Sequence, residues 1–128
     1  MTKFELQQRT KNFHVAIIKL CEHFPKNAAG FETAKQLIRA AGSVGANYRA
    51  TCRAKSKADF IYKLEIVLEE ADEALYWMEA TSDAQLIKTP QLADLIKEAA
   101  ELVRIFNAAD ITAKRNKNAE INKSLNQK

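Results

Sequence analysis

Apolar residues recur along this chain at intervals of three, four and seven, the spacing of helices that bury one face. Leu6, Phe13, Ala16, Ile17, Leu20 and Phe24 draw a first stripe, and Pro25 stops it. Residues 25–30 make a loop, after which Leu37, Ile38, Ala41, Val44, Tyr48 and Cys52 form a second stripe. The third is Phe60, Leu64, Val67, Leu68, Ala71, Leu75 and Met78, ending near Ala80. Ser56 stands in front of it as a cap, with Asp59 three residues on, close to capping-box spacing. Thr89 and Pro90 then supply an N-cap and a first helical residue for a fourth stripe of Leu92, Leu95, Ile96, Ala99, Leu102, Val103 and Phe106. Helices of some 20 residues are about 30 Å long, and short connections force neighbours to alternate in direction. The expected fold is all-α: an antiparallel up-and-down four-helix bundle over residues 1–113. The polar segment KRNKNAEINKSLNQK, residues 114–128, is expected to be a disordered tail.

Composition agrees with one helical domain. Three glycines and two prolines among 128 residues leave few places for the tight turns of a β fold. A 47% share of hydrophobic side chains lets a chain of this length bury roughly two thirds of its unfolded surface, so no disulfide or metal staple is required. The second helix is unusual in its middle, where Ala40, Ala41, Gly42, Ser43, Gly45 and Ala46 cluster. Glycine within a helix costs about 1 kcal/mol relative to alanine, so close approach by a neighbouring helix is the expected compensation. Cys21 and Cys52 are isolated within helical patterns and read as reduced, half-buried thiols. The start MTKFELQQRT lacks the layout of a secretory signal, and no apolar run approaches the roughly 18 residues of a membrane span. A cytoplasmic protein without membrane partners is expected.

Catalytic and metal motifs are missing. His14 and His23 have no ligand-type neighbour at metal spacing, no Glu-x-x-His pair occurs, and no glycine belongs to a phosphate loop. Ser43 has no base that spacing identifies. The residues therefore point to a protein that is not an enzyme and needs no cofactor.

Charge carries more. Between residues 35 and 57 stand six cations, Lys35, Arg39, Arg49, Arg53, Lys55 and Lys57, and no acid. At 100° per residue, Lys35, Arg39, Arg49 and Arg53 fall within an arc of about 80°, opposite the apolar face. Residues 59–83 reverse the sign, with eight acids against the single Lys63. Three uses of the basic stripe stay open: a solvated face, a footprint for a nucleic-acid backbone, or a surface between subunits. The outer face of the third helix bears on the last. Tyr62, Ile66, Glu69, Glu73, Tyr76 and Trp77 place aromatic residues among acids there, as interface anchors stand, although Trp77 could pack within its own bundle. A basic surface meeting an acidic one on the next copy is a heterologous contact of the kind that closes rings.

The run RAAGSVGANYRATCRAKSKADFIYKLEIVLEEADEALYWME, residues 39–79, resembles the four-helix bundle family named for proteins encoded in intervening sequences of bacterial 23S ribosomal RNA genes. Arg39, Ser43, Gly45, Ala46, Asn47 and Tyr48 carry the likeness on the second helix, and Ser56, Asp59, Phe60, Leu64, Tyr76 and Trp77 on the third. The rest of the chain agrees in length and pattern, including the stop at Phe24, Pro25 and Lys26. This resemblance implies a homopentameric ring of bundles and no established enzymatic activity. It also implies kinship with accessory proteins of diversity-generating retroelements, which bind nucleic acid and a reverse transcriptase. Ala50 stands where many relatives carry Glu, which removes any contact that carboxylate makes elsewhere. The functional expectation is a ring-forming bundle that binds RNA or a nucleic-acid-handling protein through the basic face. The alternatives are an oligomer without nucleic-acid binding and an accessory subunit of a reverse transcriptase.

Overall fold

The computed structural model describes residues 1–126, and these fold into four helices: α1 (Lys3–Cys21), α2 (Ala28–Thr51), α3 (Lys57–Asp83) and α4 (Pro90–Asn126). Each helix packs on the next, and α1 meets α4 along a much thinner seam. The pairings across the seams run in opposite directions along the two helices of each pair. Thr10, His14 and Cys21 of α1 lie against Gly45, Gly42 and Ala34 of α2, while Lys57 and Glu65 of α3 pair with Glu120 and Lys114 of α4. The neighbours are therefore antiparallel, as short connections require.

All four predicted stripes supply the core. Phe13, Ile17, Leu37, Val44, Leu64, Val67, Met78, Leu102 and Phe106 are buried, with Tyr48 and Phe106 in tilted contact at 5.4 Å between ring centroids. Burial pushes the Cys21 thiol up to about 11, so at neutral pH it stays protonated; neither cysteine is in a disulfide.

The helix ends differ from expectation in instructive ways. Ser56 accepts from the Asp59 amide as anticipated, and Thr2 with Glu5 makes a full capping box at the start of α1. Gly30 belongs to the first turn of α2 rather than to the loop. A Cβ there would fall 1.8 Å from the Pro25 carbonyl oxygen, so only glycine lets the loop fold back on the helix. Asn27 caps this end by accepting from the Gly30 amide. Thr89 makes no side-chain cap: its hydroxyl is buried without a hydrogen-bond partner, and only its carbonyl engages the helix, accepting from Leu92.

The segment from residue 114, expected to lose order, instead continues α4 as helix to Asn126; Gln127 and Lys128 lie outside the described residues. No glycine or proline interrupts it, and ion pairs tie it to α3. Lys114 reaches Glu65 at 3.0 Å and Asp110 at 2.9 Å, and Lys57 pairs with Glu120. Most of its side chains are exposed, so charge rather than apolar burial holds it down.

Candidate nucleic-acid interface

The six basic residues do not share one fate. α2 ends at Thr51, so Arg53 and Lys55 sit in the turn between α2 and α3, and Lys57 opens α3. Only Lys35, Arg39 and Arg49 lie on α2 itself. Arg39 faces the α3 seam, where it pairs with Glu70 at 3.2 Å and also with Glu73. The Arg39 guanidinium holds the Glu73 carboxyl below the usual glutamate range, and Trp77 Nε1, donating to Glu73 at 3.2 Å, adds to this. Lys57 is matched by Glu120. Lys35, Arg49, Arg53 and Lys55 have no ion-pair partner among the described residues.

Arg49 faces the other way, toward α1. Gly42 and Gly45 bring α1 close to α2: a Cβ on Gly42 would lie 2.9 Å from His14 Nε2, and one on Gly45 would lie 3.6 Å from Thr10. The small-residue cluster thus does what the sequence required of it, and α1 is the helix that approaches. Beside these glycines, Gln7, Lys11, His14 and Arg49 line an open groove with no acid among them.

A second hollow opens where α1 begins and α2 turns into α3. It is lined by Lys3, Lys55 and Lys57, with Tyr48 and Phe60 below. Phe4 is 69% exposed next to it, with the Lys3 ammonium 5.3 Å from its ring centroid. One end of the bundle therefore gathers Lys3, Arg53 and Lys55, while Lys11 and Arg49 belong to the α1–α2 groove that leads away from it. Lys3 and Lys11 carry no mark in the sequence that ties them to the stripe, because they lie on a different helix. Their link to it was the glycine pair, which announces a close neighbour without naming it.

The outer face of α3 is as expected in part. Tyr62 and Tyr76 are 67% and 61% exposed, and Glu69 is exposed beside them. Ile66 and Glu73 are half-buried, and Trp77 packs against its own core with its ring edge-on to Tyr76 at 5.3 Å. Among the described residues no group of His, Cys, Asp and Glu could hold a metal ion, and no helix is long and apolar enough to cross a membrane.

A model of the 23S rRNA-intervening sequence protein family matches residues 2–108, which includes the helical core and reaches well beyond the run from Arg39 to Glu79. The chain belongs to this family. Consistent with membership, a crystal structure of a protein of unknown function from the S23 ribosomal protein family, from Bacteroides thetaiotaomicron, superposes with a TM-score of 0.77 at 30% identity. The superposition covers 86% of this chain and 98% of that one. No curated protein matches the chain. The family match ends within α4, which continues to Asn126.

Proposed function

We propose that this protein is a non-catalytic, cytoplasmic RNA binder that engages the phosphate backbone through the cationic end of the bundle. The observation that carries the reading is the gathering of Lys3, Arg53 and Lys55 at one pole without internal partners, whereas Arg39 and Lys57 are matched within the chain. A polyanion neutralises such cations by releasing its counterions, which makes binding strongly salt-dependent. Exposed Phe4 offers a surface on which an unpaired base can stack. The name of the structural neighbour's family, which refers to a ribosomal protein, points in the same direction.

Self-assembly accompanies this reading. Tyr62 and Tyr76 expose two large aromatic rings on a face of acids, and such side chains are typical anchors between subunits. A basic pole on one copy complements an acidic face on the next, in a ring whose copy number light scattering would give.

Fluorescence polarisation with a labelled single-stranded RNA tests the main claim. Affinity should fall steeply as salt rises from 50 to about 200 mM, and Arg53→Glu with Lys55→Glu should abolish binding while helicity is retained. Binding that ignores salt, or that survives the double change, overturns it. Capture of a protein partner, such as a reverse transcriptase, by the same surface without RNA affinity would favour the protein-partner alternative.

A further inference from the structure

The α1–α2 groove has a character that the pole lacks. Gln7, Lys11 and His14 from α1 and Arg49 from α2 surround it, Gly42 and Gly45 form part of its floor, and no carboxylate lines it. Its volume is about 260 Å³, below the roughly 300–1,000 Å³ of clefts that take drug-sized ligands, so it suits a compact group. The missing Cβ at Gly42 lets the His14 ring settle against α2, since any side chain there would stand 2.9 Å from Nε2. The His14 ring makes no hydrogen bond, and Lys11 and Arg49 no ion pair, among the described residues. Two permanent cations, an imidazole and an amide thus edge a small hollow with no internal anion to satisfy them.

We infer that this groove is a binding site for a phosphate monoester group. Arg49 supplies a planar fork for two phosphate oxygens, Lys11 a compact charge for a third, and His14 and Gln7 further N–H donors. A dianionic monoester matches this gathering of positive charge better than a singly charged diester does. The group can come from a small phosphorylated compound or from the phosphorylated 5′ end of an RNA. The site does not depend on the pole residues, so it stands if the RNA reading fails.

Calorimetric titration of the full chain with inorganic phosphate, against chloride at matched ionic strength, tests it. The expected result is saturable binding with a change in the His14 ring signals in nuclear magnetic resonance spectra. Lys11→Gln and Arg49→Gln should each weaken binding at least tenfold, and Lys35→Gln, on the same helix but outside the groove, should leave it unchanged. Gly42→Ala should weaken it as well by displacing His14, with the circular dichroism spectrum as the check on folding. A 5′-phosphorylated oligoribonucleotide that binds at least tenfold tighter than its 5′-hydroxyl counterpart identifies an RNA end as the source, and equal affinities identify a small phosphate compound. Absence of saturable phosphate binding overturns the site, as does a loss on Lys35→Gln equal to that on Arg49→Gln. Arg53→Glu with Lys55→Glu, which tests the RNA reading, should leave the phosphate titration intact.

Discussion

On one flank of α2, Arg39 reaches Glu70 and Glu73 across the α3 seam; on the other, Arg49 stands beside Lys11 and His14 of α1, in a groove without a carboxylate. Both are exposed arginines on one helix, about 80° apart around its axis. The neighbouring helix decides what each does. Against acidic α3, Arg39 completes an internal ion-pair network that fixes how two helices meet. Against α1, Arg49 has no ion-pair partner among the described residues. A row of like charges in a sequence is therefore not one surface until the helices on either side of it are known.

The sharpest way to break this contrast is to remove what both flanks rest on. Phe106 is fully buried against Tyr48, and Phe106→Ala should cost about 3–5 kcal/mol in denaturant unfolding. It should weaken both seams together; retention of near-wild-type stability would show that the flanks do not share one core. Next come the glycines of the α1 flank. Gly42→Ala must push the His14 ring aside, which offsets its helix-propensity gain and should leave stability within about 0.5 kcal/mol of wild type, whereas Gly45→Ala finds ordinary contact at 3.6 Å. Gly45→Ala should therefore gain roughly 0.5–1 kcal/mol from helix propensity, a difference in size that thermal melting can read.

Smaller effects separate the two arginines. Arg39→Ala removes two partly exposed ion pairs and should cost at most about 1 kcal/mol, with RNA and phosphate binding kept. Arg49→Ala should change stability by less than about 0.5 kcal/mol and lose phosphate binding. The reverse pattern would reject the assignment of the flanks. Smallest is a pH effect confined to the α3 flank. The Glu73 carboxyl is held below the usual 4.5 by Arg39, so its stabilisation is present above that value and disappears as pH falls through the lower folded value. Wild type should thus lose a slight stability advantage over Arg39→Ala on acidification below pH 4.5, and an advantage that persists in strong acid would contradict the pairing.

Much of the fold was legible because burial is periodic. Every residue of the predicted stripes that forms the deepest core, from Ile17 to Phe106, was placed on the correct face by spacing alone. The cap at Ser56 and the stop near Pro25 were legible for local steric and hydrogen-bonding reasons. Gly30 was not, since its need arises from a carbonyl five residues away that only the folded loop brings near. The candidate surface was half legible. Lys55 and Arg53 stood out as charges, but Lys3, Lys11 and Phe4 gained meaning only when α1 came to lie beside them. The far end of α4 was read as disordered because polarity reads that way, whereas the structure continues it as helix, with Glu65 and Lys57, remote in sequence, pairing with Lys114 and Glu120.

That last attachment gives the molecule a length that ionic strength can set. The first turns of α4 are anchored by Leu92, Ala99, Leu102 and Phe106, which salt does not loosen; past residue 113 the hold on α3 is by exposed ion pairs, whose reach shrinks to about 8 Å at physiological salt and about 3 Å at 1 M. Amide exchange over residues 114–126 should quicken as salt rises, while exchange in the rest of α4 stays constant. Fraying of these last turns would release Arg115, Lys117 and Lys123 from the helix beside the cationic pole.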